Sequence, residues 1–96
     1  MIVHTILYVA DQKKSTDFYS LILELNPTLN VPGMTEFQLS EKHVLGLMPE
    51  TGIKGLLGDK MPDPKKASGV PRVELYMRVA SPESYFERAK EFGLLN

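Results

Sequence analysis

Cysteine is absent from the 96 residues. That removes disulfides, a thiolate nucleophile and thiolate metal sites from the chemistry open to the chain. An excess of one charge is missing too, since 11 basic residues stand against 12 acidic ones for a formal net charge of -1. Such a balance creates no field to draw nucleic acid or anionic lipid, and the aromatics fall at expected core positions rather than among basic clusters. Neither nucleic acid nor membrane is expected as a partner. No apolar run approaches the ~20 residues needed to span a bilayer. The beginning lacks the basic-then-apolar pattern of a signal peptide, so the cytoplasm is the expected location.

Regular structure is not expected between Pro49 and Pro71, where four of the seven prolines and four of the seven glycines gather. This stretch reads as a linker, assigned to residues 50–71. Gly52, Gly55 and Gly58 are spaced by three, but no strand leads into a glycine turn that opens a helix, and the lysine-serine ending of a phosphate loop is missing. A surface loop is the reading. Lys13-Lys14 and Lys65-Lys66 read as solvated faces.

What is present is organised by the first 27 residues. Val3, Thr5, Leu7 and Val9 alternate with His4, Ile6 and Tyr8, which predicts a strand with one aliphatic face and one mixed face. Asp11 is placed to N-cap a helix whose Phe18, Leu21, Ile22 and Leu25 make the expected apolar stripe, and Asn26-Pro27 is expected to end it. Thr28 to Val31 reads as a short strand. Pro32-Gly33 is a turn, and Met34 to Ser40 alternates as a second strand, with Glu36 and Gln38 on the same side as His4. After the tight turn Glu41-Lys42, His43 to Met48 is a third strand in hairpin relation. His43, at its start, reads as a surface histidine.

A later segment echoes this beginning at an offset of 70: Val73 falls on Val3, Glu74 on His4, Val79 on Val9, Ala80 on Ala10 and Ser81 on Asp11. The alternation of Arg72 to Ala80 predicts a strand, with Arg72, Glu74, Tyr76 and Arg78 on its polar face. Ser81-Pro82 opens a helix whose apolar face is Tyr85, Phe86, Ala89 and Phe92, and Gly93 closes it. His4, Glu36, Gln38, Glu74, Tyr76 and Arg78 are therefore expected to share one face of the sheet. His4 with Glu74 offers either a metal pair or a hydrogen-bonded pair balanced by Arg78. Tyr8, Gln38, Tyr76 and Arg78 could orient a polar ligand over an apolar lining of Ile6, Val44 and Met48, or the same groups could simply be packing.

The order of these elements, with HTILYVADQKKSTDFY at the start and MTEFQLSEKHVLGLMPE in the middle, resembles the glyoxalase, bleomycin-resistance and extradiol-dioxygenase superfamily, the vicinal oxygen chelate proteins. The resemblance implies an α+β fold: a βαβββ module followed by a truncated second module (βα), with a curved mixed sheet and helices on its convex face. It implies one glyoxalase-like domain over 1–96, with 1–49 the first module and 72–96 an incomplete second one. Carried over by position, the family's metal ligands fall on His4, on Gly46, which has no side chain to offer, and on Glu74. The fourth falls on a strand that is lacking here.

Two functions follow from the resemblance. The first is a small-molecule-binding protein without a complete metal site, and hence without a cofactor. The second is a metal-dependent lyase, isomerase or dioxygenase, with iron, manganese, nickel or zinc held by His4 and carboxylates and Glu36 or Glu74 moving a proton. A small-molecule ligand is the expected partner in both. A homodimer is expected as well, because half a module leaves strand edges unpaired, and Leu56, Leu57, Met61, Leu94 and Leu95 are expected to bury against a second chain.

Overall fold

The computed structural model describes residues 1–52 and 73–93. Most of the expected linker, with Leu56, Leu57 and Met61, lies outside the described residues, as do Arg72, Leu94 and Leu95. The molecule is α+β: a four-stranded mixed sheet with helices. Its strands are β1 (Val3–Val9), β2 (Leu29–Val31), β3 (Met34–Ser40) and β4 (His43–Pro49), and its helices are α1 (Gln12–Leu23) and α2 (Pro82–Phe92).

The sheet order is β1-β4-β3-β2, so the first strand lies parallel to the last while the two hairpins are antiparallel. The turns fix this arrangement. At Pro32-Gly33 the glycine adopts φ 96, a left-handed conformation that costs a glycine little, and the chain reverses in two residues. Between β3 and β4 the register shifts across Gln38 and Ser40, a bulge that accommodates Leu39 before the turn.

One face of the sheet is sealed. Phe37, Leu45 and Leu47 form its centre, and Leu7, Val9, Tyr19, Leu23, Leu39 and Leu75 pack around them. Asp11 caps α1 as the sequence indicates, its carboxylate accepting from the Lys14 amide at 3.0 Å. The stripe that α1 turns toward the sheet is not the expected one, however. Tyr19 and Leu23 pack on the core and Thr16 is buried, while Phe18 meets Phe92 of α2 edge-to-face with ring centres 5.3 Å apart. Leu25 is exposed, and α1 ends at Leu23 rather than at Asn26.

The rotation of α1 has a polar cause. Gln12 donates to the Val31 carbonyl (2.8 Å) and to Thr35 Oγ1 (2.9 Å), and accepts from the Gly33 amide (2.9 Å). Thr16 and Thr35 share a buried hydroxyl–hydroxyl bond at 2.9 Å. These bonds tie the first turns of α1 to the β2–β3 hairpin. The early end has a partner as well: Glu24 takes the left-handed conformation (φ 53), and its carboxylate meets Arg88 of α2 at 2.6 Å. Arg88 also donates from Nε to the Ile22 carbonyl at 2.8 Å, satisfying one of the acceptors that a helix end leaves open.

The expected strand over Arg72–Ala80 is not formed in its described part, since residues 73–79 carry no strand. Leu75 instead turns into the helix-side core, which holds the segment against the packed layer rather than in a ladder. The helix after it is present, with Pro82 in its first turn and Gly93 (φ 89) at its end.

Candidate functional site

The face of the sheet away from α1 is built by the alternation of three strands. The β1–β4 register sets His4 beside Val44, Ile6 beside Gly46 and Tyr8 beside Met48. The β3–β4 register sets Glu36 on the far side of Gly46 and Gln38 on the far side of Val44. His4, Tyr8, Glu36, Gln38 and Met48 therefore share one face, as the alternation predicts.

Gly46 is the centre of this face. A methyl group placed there would stand 3.2 Å from Ile6 Cγ1 and 3.5 Å from Met34 Sδ, so these two side chains already lie over the bare backbone. Across that strand His4 Nδ1 and Glu36 Oε2 approach to 3.7 Å, although their strands are not neighbours. The distance is too long for a direct hydrogen bond and suits an ion pair when the imidazole is protonated. Both groups keep contact with solvent, with side-chain exposures of 44% for His4 and 26% for Glu36. Ile6 and Tyr8 are about two-fifths exposed beside them, while Val44 is buried beneath. Gln38 is engaged locally, its amide donating to the Ser40 carbonyl at 2.6 Å.

The remaining expected site residues stand elsewhere. Glu74, Tyr76 and Arg78 lie on a segment that joins no sheet, and all three are exposed. Tyr76 borders an apolar cleft with Ile22, Leu75, Met77 and Phe86, on the helix side of the molecule. The carboxylate beside His4 is thus Glu36 rather than Glu74. Offset matching by 70 cannot reveal this, because it assumes that Val73 to Val79 forms a strand as Val3 to Val9 does.

His43, expected at the surface without a partner, bonds instead to Thr5 Oγ1 at 2.7 Å and is only partly exposed. It sits on the helix side, directly across the parallel ladder from Val3. The role of Gln12 is also not visible in the sequence, which marks it only as a polar residue following the helix cap. A cleft of about 360 Å³ opens beside it, bordered by Lys13, Asp17, Asn30 and Pro32.

No family model matches the chain, and no curated protein or solved structure matches it. The chemistry of the site therefore rests on the donors present. Among the described residues no three histidine or carboxylate groups gather as a metal cluster. His4 and Glu36 are two donors, and the residue between them has no side chain, whereas a catalytic metal site generally uses three protein ligands. The pair can accept from an N–H or O–H, and it can donate from the imidazole, beside an apolar floor of Ile6, Met34 and Met48. No helix among the described residues is long and apolar enough to cross a membrane.

Proposed function

We propose that the chain is a small-molecule-binding protein of the glyoxalase and bleomycin-resistance kind, which holds its ligand on the open face of the sheet without a complete metal site. The observation that carries this reading is the approach of His4 and Glu36 to 3.7 Å over the Gly46 strand, with apolar side chains on both sides. Small-molecule sites commonly combine an apolar lining with a few convergent polar groups, and this face has both. A parallel pair extended by two antiparallel strands, with α1 packed on one side, is also the layout expected of a βαβββ module. The fitting ligand is flat and mostly apolar, with one N–H or O–H directed between the imidazole and the carboxylate. A cytoplasmic location belongs to the same reading.

Thermal-shift screening of small aromatic and heteroaromatic compounds tests it, with the hits retested on His4→Ala and Glu36→Gln. The expected result is stabilisation of the unaltered chain that both variants lose. Compounds that stabilise all three chains equally would place the site elsewhere.

The same imidazole–carboxylate pair favours a second reading, a metal-dependent lyase, isomerase or dioxygenase in which Glu36 moves the proton. That reading needs a third ligand beyond His4 and Glu36. Elemental analysis of the purified protein separates the two: stoichiometric iron, manganese, nickel or zinc, lost in His4→Ala, would favour the enzyme.

A further inference from the structure

His4 and Glu36 lean toward each other across β4 without bonding. Nδ1 and Oε2 stand 3.7 Å apart, and neither side chain has a hydrogen-bond partner among the described residues. A carboxylate at that distance favours the imidazole tautomer with its proton on the nitrogen that faces it. The pair then presents one N–H donor beside one acceptor of full negative charge. A ligand carboxylate would meet Glu36 like for like, and a lone hydroxyl lacks the geometry to engage both atoms. A cyclic amide has the matching edge, an N–H to donate to Glu36 Oε2 next to a C=O to accept from His4 Nδ1. Its nitrogen and oxygen are about 2.3 Å apart from ordinary bond lengths. Two hydrogen bonds of normal length therefore reach atoms 3.7 Å apart with only a slight splay.

The floor beside this pair is movable on one side only. Ile6 Cγ1 and Met34 Sδ lie 3.2 and 3.5 Å from the place where a Cβ on Gly46 would stand, so both cover the same bare backbone. Ile6 is β-branched and stiff about its first side-chain bond. Met34 is unbranched, turns about three bonds and is partly exposed, so it can swing off the glycine into solvent. Glu36 is the residue paired with Gly46 across the β3–β4 ladder. A ring bonded by its edge to Glu36 therefore extends over Gly46.

We propose, on the reading that the open face binds the ligand, that the ligand is an uncharged planar cyclic amide. Its N–H and C=O meet Glu36 and His4, and its ring lies on the Gly46 backbone in the place that Met34 vacates, with Ile6 as a fixed wall. Gly46 and Met34 are then the specificity-determining residues. The glycine selects a flat ring because any Cβ there would lift it away from the pair, and Met34 closes the slot when no ligand is present.

The test is an NMR titration of the whole chain, read at backbone amides and methionine methyls, with carbostyril, a flat benzo-fused cyclic amide, and with N-methylcarbostyril, which lacks the N–H. Carbostyril should shift the Glu36 and Gly46 amides and the Met34 methyl together. The N-methyl compound should bind at least about tenfold more weakly, the worth of one hydrogen bond to a charged group. Glu36→Leu removes the acceptor and should bind the two compounds alike. Gly46→Ala, with its fold checked by circular dichroism, should weaken carbostyril by at least about tenfold, as one added carbon in a ligand pocket commonly does. Should Gly46→Ala unfold, the two compounds on the unaltered chain decide. Equal binding of both at the open face overturns the proposal and leaves that face as the binding face, as does a Met34 methyl that stays unmoved at saturation. Open-face shifts from other compounds but none from carbostyril also overturn it. If no compound of any class moves an open-face amide, the reading of that face falls and the proposal falls with it.

Discussion

On the helix side of the sheet Thr35 and Phe37 of β3 and Leu45 and Leu47 of β4 are all at 0% exposure, while on the opposite face Ile6 and Tyr8 of the edge strand β1 keep 40% and 38% of theirs. Alternation assigns the side chains to their faces, and the position of β1 at the edge of the sheet adds to the difference, since Val44 of the neighbouring β4 is buried on the open face. The sealed face holds the fold together. The open face leaves an imidazole and a carboxylate in reach of solvent, on either side of a glycine whose backbone Ile6 and Met34 cover.

Substitutions on the two faces should therefore behave differently. The largest effect is expected at Phe37→Ala, which empties the centre of the sealed cluster and should lower unfolding free energy by about 3–5 kcal/mol in urea titrations. Thr35→Val keeps the shape but removes the hydroxyl that serves Gln12, Thr16 and Asn30, and should cost about 1–3 kcal/mol. If Thr35→Val were neutral, the polar network would not be what sets the rotation of α1.

On the open face the costs should shrink. Gly46→Ala brings a methyl group to 3.2 Å from Ile6 Cγ1 and should cost about 1 kcal/mol as that β-branched side chain is pushed from its rotamer. A loss several times larger would mean that the open face is packed as tightly as the other. Glu36→Gln should change stability by less than about 0.5 kcal/mol, as is usual for a partly exposed position.

Tyr19 sharpens the comparison through pH. Burial on the sealed face raises its phenol above the ordinary value of 10.0. The folded chain thus keeps a proton that the unfolded chain releases first. The stability tied to Tyr19 is intact below that ordinary value and is lost as the pH rises above it. Tyr19→Phe should flatten this alkaline limb in thermal melts while leaving the neutral range nearly unchanged.

Much of the sheet could be read from the residues. Strict alternation in Met34 to Ser40 sets both ends of β3, and Asp11 marks the start of α1, because these signals are local. Three features escaped because their causes are distant in sequence. The stripe of α1 is set by Gln12 and Thr16 bonding to the β2–β3 hairpin, and a purely apolar count favours Phe18, Leu21, Ile22 and Leu25 instead. The end of α1 is set by Arg88, 64 residues beyond Glu24. The segment 73–79 alternates like a strand, but its Leu75 finds burial under the helices. At the candidate site, pairing His4 with Glu36 follows from strand register, whereas pairing it with Glu74 depended on a strand that is not formed.

The most direct test of the open face as the functional one is an amide-resolved NMR titration of the whole chain with compounds taken from the thermal-shift screen. The amides of His4, Ile6, Glu36 and Gly46 should shift together and saturably, and the shifts should vanish in Glu36→Gln. Saturable shifts confined to the cleft beside Gln12 and Asn30, or to the one between Ile22 and Phe86, would contradict the account.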